Sequence, residues 1–191
     1  MVEPKSTADA APALGETLAV LLARDMADGE KVIIGTNSDI QLAACNLARL
    51  MQAPRLWWVS GPGGMVNPTR DHLISTADFE NIESAEAWMD LPNMIDFIDW
   101  QVHFFDFAIL SALQVDRFGN INTVLVGDPA KPRLRGPGTV GISALCGLAR
   151  RFYIVLTRHD KGAFRPRVDF ICGPGHLEGG DSREKAGLPP G

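Results

Sequence analysis

An alternation of helix-like and strand-like segments in the first sixty residues constrains the fold of this chain most strongly. The leucines between Leu14 and Leu22 recur at helical spacing, and the apolar run Lys31–Ile34 follows as a short buried strand. A second helix is expected from Ser38, with Gln41 three residues later in a capping box, and Leu56–Val59 is the next strand. This order predicts an α/β domain with an open, mostly parallel sheet flanked by helices.

The rest of the chain carries weaker signals of the same kind. Four further strands are expected at Asp106–Ala112, Asn122–Val126, Phe152–Thr157 and Val168–Cys172. Gly61–Pro68 is too rich in glycine and proline for anything but a loop, and Ala85–Phe105 is interpreted as helical around Pro92. The turn between the first two of these strands contains Gly119-Asn120, where a tight reversal with positive φ is expected.

Composition excludes several classes of function. The 191 residues are 46% hydrophobic and 21% charged, which fits one globular domain with a substantial core. A net charge of −5 argues against a nucleic-acid-binding protein, which would need a clustered basic face. No apolar run approaches the roughly 20 residues of a membrane span, so no membrane partner is expected.

Cysteine usage and the N-terminus bear on compartment and domain limits. Cys45, Cys146 and Cys172 are odd in number and lack CxxC spacing, so they are interpreted as reduced core thiols of a cytoplasmic protein. No histidine pair has metal-ligand spacing, so no metal is expected. Residues 1–13 are predicted to be a flexible tail and not a signal peptide, and residues 14–191 to form a single domain.

Three glycine-rich loops follow predicted strands: Gly35–Ser38, Ser60–Gly64 and Gly136–Gly141. In open parallel sheets, ligands bind outside the carboxyl ends of the strands, where such loops come together. Glycines allow backbone N–H groups to approach a ligand closely, and these amides can hold a thioester oxygen or a phosphate. Together the loops indicate a ligand site at one edge of the sheet.

Three blocks of sequence carry a family resemblance: Gln114-Val-Asp-Arg-Phe-Gly-Asn-Ile-Asn122, Gly136-Pro-Gly-Thr-Val-Gly141 and the closing Asp181–Pro190. In this order they resemble the β-type subunit of class I coenzyme A transferases, most closely the glutaconate CoA-transferase branch. The resemblance implies the CoA-transferase-like (NagB/RpiA-type) fold, an α-type partner subunit, an acyl-CoA substrate that brings the coenzyme A, and no tightly bound cofactor. Against this family, the end Gly187–Gly191 is interpreted as a cut inside a longer sequence.

The resemblance also points to a missing nucleophile. The family's transferases attack the acyl-CoA with a glutamate at the end of the second β-subunit strand, and the matching position here holds Ser60. Ser60 has no evident base and no nucleophile-elbow pattern. One branch of the family, the ring-opening hydrolases of steroid catabolism, resembles the transferases but lacks this glutamate. Its essential acid lies in the α partner.

In that ring-opening branch, a β-subunit arginine assists near a glycine-rich loop, and by resemblance it corresponds to Arg135, directly before Gly136. A guanidinium there would pair with a carboxylate or stabilise an enolate. A surface or interface salt bridge is the structural alternative for Arg135, and Arg133 is its neighbouring competitor. Trp57 and Trp58, on opposite faces of a strand, are expected to be core residues, with one wall of an acyl pocket as the alternative.

The expected substrate-binding residues are Ser60, Gly61, Gly63, Asn120, Asn122, Gly136 and Gly138, with Arg135 as the catalytic candidate. Three functions remain open. The first is hydrolytic, retro-Claisen ring cleavage of a cyclic β-keto acyl-CoA, with the catalytic glutamate in the α partner. The second is CoA transfer of the glutaconate or 3-oxoacid type, and the third is a non-catalytic scaffold subunit.

Overall fold

The computed structural model describes residues 13–35, 38–61, 64–69, 76, 80–90, 92–94, 96 and 102–190. Its strands are β1 (Lys31–Ile34), β2 (Trp57–Ser60), β3 (Met65–Val66), β4 (Ala87–Trp88), β5 (Phe107–Ser111), β6 (Gln114–Asp116), β7 (Ile121–Asn122), β8 (Leu125–Asp128), β9 (Lys131–Arg135), β10 (Arg151–Val155) and β11 (Phe164–Arg165). Its helices are α1 (Leu14–Arg24), α2 (Asp39–Met51), α3 (Glu80–Ser84), α4 (Ile142–Leu148) and α5 (Ser182–Lys185).

A six-stranded sheet with the order β10-β5-β1-β2-β3-β4 forms the centre. β10, β5, β1 and β2 pair in parallel, and β3 and β4 extend the sheet in antiparallel fashion. The predicted α/β class, with an open, mostly parallel sheet flanked by helices, is confirmed. The expectation that Gly61–Pro68 is only loop is wrong, because Met65 and Val66 bury their side chains and pair with the end of β2.

Alternate residues of the parallel strands face two separate cores. One core contains α1, α2 and the strand residues Val32, Ile34, Trp58, Phe107 and Ile109, and the other contains Ile33, Val59, Ala108 and Leu110. Trp58 is fully buried in the first core, whereas Trp57 packs on Phe104 and Phe105 beside the second. The two tryptophans therefore lie on opposite faces of β2, as period-two alternation predicts, and both serve as packing residues.

The first two helices differ in detail from the sequence expectation. α1 ends at Arg24, before the predicted stop near Asp28-Gly29, and Leu21 on its outer side is exposed. Ser38 is the N-cap of α2, but its side chain makes no capping hydrogen bond. The capping box fails because the Gln41 amide instead donates to Ser111 Oγ at the end of β5, at 3.1 Å.

A smaller layer of short strands follows β5, comprising the sheet β11-β6-β7 and the hairpin β8–β9. The strand expected at Asn122–Val126 breaks after Asn122, because the Asn122 side-chain oxygen accepts the N–H groups of Val124 and Leu125. The strand expected at Val168–Cys172 is absent, because the Asp169 N–H donates to a glutamine side chain instead of a strand. Gly119 has the positive φ expected at the reversal, 73°, but Asn120 does not.

Other expectations are corrected or fall outside the described ranges. The span Ala85–Phe105 contains β4, and helical geometry is described only at residues 92–94 and 96. α4 was not expected, because its seven residues are too few to show an apolar period. All three cysteines are free and buried, as expected of core thiols.

Within the residue ranges given above, no helix combines the length and apolar character that crossing a bilayer would require. The same residues contain no group of three or more histidine, cysteine or acidic side chains able to hold a metal ion.

Candidate functional site

The carboxyl ends of β1, β2 and β5 meet at one edge of the sheet, as parallel pairing requires. A cavity of about 280 Å³ lies at this edge, lined by Gly35 after β1, Gly61 after β2 and Ser111 at the end of β5. Gly138 and its neighbours in the loop before α4 line it as well. The three glycine-rich loops found in the sequence therefore come together around one cavity. Gly63, one of the expected substrate-binding residues, lies outside the described residues.

The glycine amides at this edge are engaged inside the protein. The Gly61 N–H donates to Ile34 O at 2.9 Å, and the Gly136 N–H donates to Val124 O at 2.8 Å. The Gly138 N–H donates to Thr123 O in a longer hydrogen bond of 3.4 Å. These three amides already have acceptors within the chain, so their expected role as donors to a ligand remains a prediction.

Thr123 fixes the glycine-rich loop before α4 through contacts on both sides. Its carbonyl lies so close to Gly136 that a Cβ on that residue would stand 2.1 Å from the oxygen. Its Oγ1 donates to Gly138 O at 2.5 Å, and Gly138 has a φ of 105°, which a residue with a side chain rarely adopts. Thr123 also lines the cavity, so one residue both shapes the wall and holds the loop.

Ser60 is buried at the end of β2 and does not line the cavity. Its hydroxyl donates to the carbonyl of Thr76. With its proton committed to a backbone acceptor and no histidine among its described partners, Ser60 lacks the activation that a serine nucleophile needs. Its predicted contact with substrate remains a prediction, whereas the neighbouring Gly61 does lie on the cavity wall.

Asn122 belongs to a buried network that joins three segments. Its amide donates to Gln114 Oε1 at 2.7 Å and to Leu125 O at 2.5 Å. The Gln114 amide donates to Asp169 Oδ2 at 2.9 Å, and that oxygen also accepts the Gly127 N–H at 2.8 Å. These two hydrogen bonds hold the pKa of the Asp169 carboxyl below its ordinary value, with smaller contributions from nearby arginines.

Asn120 ties the turn of the first motif to the loop at residues 173–177. Its amide donates to Asp116 Oδ2 at 3.1 Å and to Leu177 O at 2.8 Å. Its side-chain oxygen accepts the N–H groups of Gly175 and Leu177 at 2.9 and 3.0 Å. Asn120 and Asn122 are thus fully engaged inside the protein, and neither lines the cavity. Their role in substrate binding remains a prediction, while their structural role is direct.

Arg135 is exposed at the end of β9, three residues before Gly138. In the part of the chain that the structure describes, no ion pair or hydrogen bond engages its guanidinium, so it is available to a ligand or a partner subunit. Arg133, its competitor, acts on the network described above, since its charge contributes to lowering the pKa of Asp169. The two arginines therefore have different surroundings, although both are exposed.

Sequence reasoning missed Ser111 and Thr123, the polar side chains on the cavity wall. Ser111 is the first polar residue after the apolar run of β5, at the carboxyl end of a parallel strand. That position was a usable signal, because ligands collect where such strands end. Thr123 carried no comparable signal, since it follows a two-residue strand that periodicity does not reveal.

A larger groove of about 810 Å³ runs along the outer edge of β10. It is lined by β10 itself, by Leu21 of α1, by Phe118 and by His176. None of the predicted site residues lines it, and no glycine-rich loop at the carboxyl ends of the strands reaches it. The smaller cavity is therefore the candidate site, because position at the strand ends outweighs volume.

Comparison with known proteins shows what this chain is similar to. A family model for coenzyme A transferase matches residues 95–188. The B-type chain of the 3-oxoadipate CoA-transferase from Pseudomonas knackmussii is 37% identical over 177 residues, covering 91% of this chain and 65% of that protein. The B-type chain of the glutaconate CoA-transferase from Acidaminococcus fermentans is 25% identical over 180 residues, again covering 91% and 65%. The chain thus spans 65% of the length of these relatives.

Solved structures agree with the sequence matches. The crystal structure of the Acidaminococcus fermentans glutaconate coenzyme A-transferase is similar in fold, with a TM-score of 0.80 at 23% identity over 91% of this chain and 66% of that one. The decarboxylase AibA/AibB gives a TM-score of 0.76 at 28% identity over 83% of this chain and 65% of that one. The matched family model and the 37% identity show that the chain is similar to the B-type subunits of coenzyme A transferases, and the solved structures share its fold.

Proposed function

We propose that this chain is the B-type half of a two-subunit enzyme that acts on an acyl-CoA thioester, with the catalytic acid supplied by the α-type partner. The observation that carries the proposal is the cavity at the strand ends, formed by three glycine-rich loops without a carboxylate among its described lining residues. A carboxylate nucleophile is the group that CoA transfer of this type needs. Ser60, which occupies the position where the resemblance expects that carboxylate, is buried and donates to a backbone carbonyl.

Hydrolytic, retro-Claisen cleavage of a cyclic β-keto acyl-CoA fits these residues best. In such a step water adds to the ketone carbon, the carbon–carbon bond to the α carbon breaks, and the electron pair forms an enolate of the thioester that is then protonated. The partner's acid would activate the water. Arg135, exposed and without a described partner near the cavity loop, would stabilise the developing negative charge.

CoA transfer is the second candidate, and the 37% identity to the B-type chain of a 3-oxoadipate CoA-transferase favours it. The 28% identity to the AibA/AibB decarboxylase supports the opposite view, that chemistry other than transfer occurs on this fold. A non-catalytic scaffold is the third candidate. In that role the chain would contribute only the surfaces that contact its partner and no catalytic residue. A covalent intermediate on this chain separates the second candidate from the other two.

The test uses the complex isolated through an affinity tag on this chain. The complex is incubated with an acyl-CoA substrate and borohydride, which reduces an enzyme-bound glutamyl-CoA thioester to an alcohol, and peptides are analysed by mass spectrometry. We expect no modified residue between positions 56 and 67. We also expect substrate consumption that does not depend on an acceptor acid, with the coenzyme A still attached to the ring-opened product. We also expect Ser60→Ala to keep most of the activity. A thioester or acyl adduct on this stretch, or loss of activity beyond about 10³-fold in Ser60→Ala, would contradict the proposal.

A further inference from the structure

The described part of the cavity wall is apolar almost throughout. The described side chains that line it from the strand ends, the loops and α4 are Ile33, Ile34, Met94, Leu110, Pro137, Val140, Ile142 and Leu145. The polar side chains among the described lining residues are Ser111 and Thr123, and no described lining residue carries a charge. Such a wall favours hydrocarbon and offers a charged group no partner of opposite sign.

The hydroxyls of Ser111 and Thr123 add little polar character to the wall. Thr123 Oγ1 already donates to Gly138 O at 2.5 Å. Ser111 Oγ accepts from Gln41 Nε2 at 3.1 Å and keeps its own proton, so the wall offers a ligand one hydroxyl donor, at the end of β5. One neutral donor is enough for a carbonyl oxygen, but a buried carboxylate needs a cation or several donors.

We propose that this cavity takes the uncharged hydrocarbon end of an acyl group and discriminates against acyl groups with a distal carboxylate. The inference rests on the proposed function, because it takes the cavity as the acyl site. Its volume of about 280 Å³ holds about nine non-hydrogen atoms at roughly 30 Å³ each. Glutaconate and 3-oxoadipate, which give the curated relatives their names, are dicarboxylates, so this chain's substrate would differ from theirs in charge at the distal end.

The experiment compares two thioesters of equal length in the complex isolated through a tag on this chain. Hexanoyl-CoA ends in a methyl group and adipoyl-CoA in a carboxylate, and their dissociation constants are measured by calorimetry. We expect hexanoyl-CoA to bind at least about tenfold more tightly, because the carboxylate loses its hydration without gaining a cation. Equal affinities, or tighter binding of adipoyl-CoA, would overturn the inference and leave the acyl-CoA function standing. Binding of neither thioester would overturn the proposed function itself.

A matched pair of variants tests whether the distal end of the acyl group lies in this cavity. Val140 lines the cavity and is 85% exposed, so Val140→Lys places an ammonium group at the cavity without burying it. Leu50 on α2 is 84% exposed and does not line the cavity, so Leu50→Lys makes the same charge change elsewhere. The preference is the ratio of the dissociation constants of adipoyl-CoA and hexanoyl-CoA. We expect this ratio to be at least about threefold smaller in Val140→Lys than in Leu50→Lys, since a cation near the carboxylate offsets its lost hydration. An unchanged preference in Val140→Lys would show that the acyl end lies elsewhere.

Discussion

Replacing Arg183 on α5 should destabilise the domain more than replacing Arg167 in the loop before that helix. Arg183 is only 6% exposed, and its guanidinium donates to the carbonyls of Pro189, Pro174, Gly175, Cys146 and Gly147 at 2.7 to 3.2 Å. These carbonyls come from the end of α4, from the glycine-rich loop that Asn120 also binds, and from the segment after α5. Burial lowers the pKa of the Arg183 guanidinium, and no acid among the described residues pairs with it.

The magnitude follows from the acceptors that the substitution would leave behind. A hydrogen bond to a charged group contributes about 1.5–3 kcal/mol, but bonds in one network are not additive. For Arg183→Met, which keeps the volume of the side-chain stem, we expect a loss of about 3–5 kcal/mol in the free energy of unfolding, because several buried carbonyls lose their donor at about 1–3 kcal/mol each without full additivity. In urea, this corresponds to a midpoint lowered by about 1–3 M.

Two further variants sharpen the test. Lysine has three donors, so Arg183→Lys can serve at most three of the five carbonyls and should fall between wild type and Arg183→Met. Arg167 is exposed and pairs with the exposed Glu178, so Arg167→Met should cost less than about 1 kcal/mol. Equal stability losses in Arg183→Met and Arg167→Met would refute the reasoning, because water would then be serving the five carbonyls as well as the guanidinium does.

Three other predictions, two of them with a control variant, have defined outcomes. Gly136→Ala should lower the free energy of unfolding, measured by thermal denaturation, by about 3 kcal/mol or more, because the new Cβ would stand 2.1 Å from a backbone oxygen. Gly15→Ala is the control: its Cβ would make ordinary contacts at 3.7 Å, so the substitution should be neutral or stabilising. Asp169→Asn should lower the free energy of unfolding by about 1–3 kcal/mol at neutral pH. Since the folded pKa of Asp169 is depressed, its contribution is present above the unfolded pKa of about 4, so the difference from wild type should shrink as the pH falls below that value; a constant difference would contradict the assignment. Arg135→Ala should lower kcat of the complex about 10²-fold with assembly intact and Arg133→Ala should do less, and equal effects would reassign Arg135 to a structural role.

The parallel half of the fold was predictable because each of its strands is a local run of apolar residues. β1 was predicted with its observed bounds, β2 and β5 to within one residue at each end, and β10 to within two. The short strands after β5 were not predictable. Their limits are set by side-chain hydrogen bonds such as those of Asn122 to Val124 and Leu125, which no hydropathy pattern records.

The candidate site was predictable in place but not in detail. Glycine after β1 and after β2 indicated the edge of the sheet where the cavity lies, and the cavity is lined by Gly35, Gly61 and Gly138. The roles of the polar residues were not accessible in the same way. Asn120 and Asn122 stand in the most specific motif of the sequence, yet their side chains bind loops of the same chain, because a conspicuous motif can specify a scaffold as readily as a ligand contact.

The outer edge of β10 has a consequence for how the protein behaves in solution. The Arg151 N–H donates to Asp106 O towards β5, so the alternation of a parallel ladder turns the N–H groups of Phe152 and Ile154 towards the groove. Among the described residues no strand pairs with this side of β10. In deuterated water these two amides should therefore exchange early while those of Arg151 and Tyr153 stay protected. An open edge rich in aromatic and β-branched residues is also a template for self-association, so concentrated samples of the isolated chain should aggregate first through this strand.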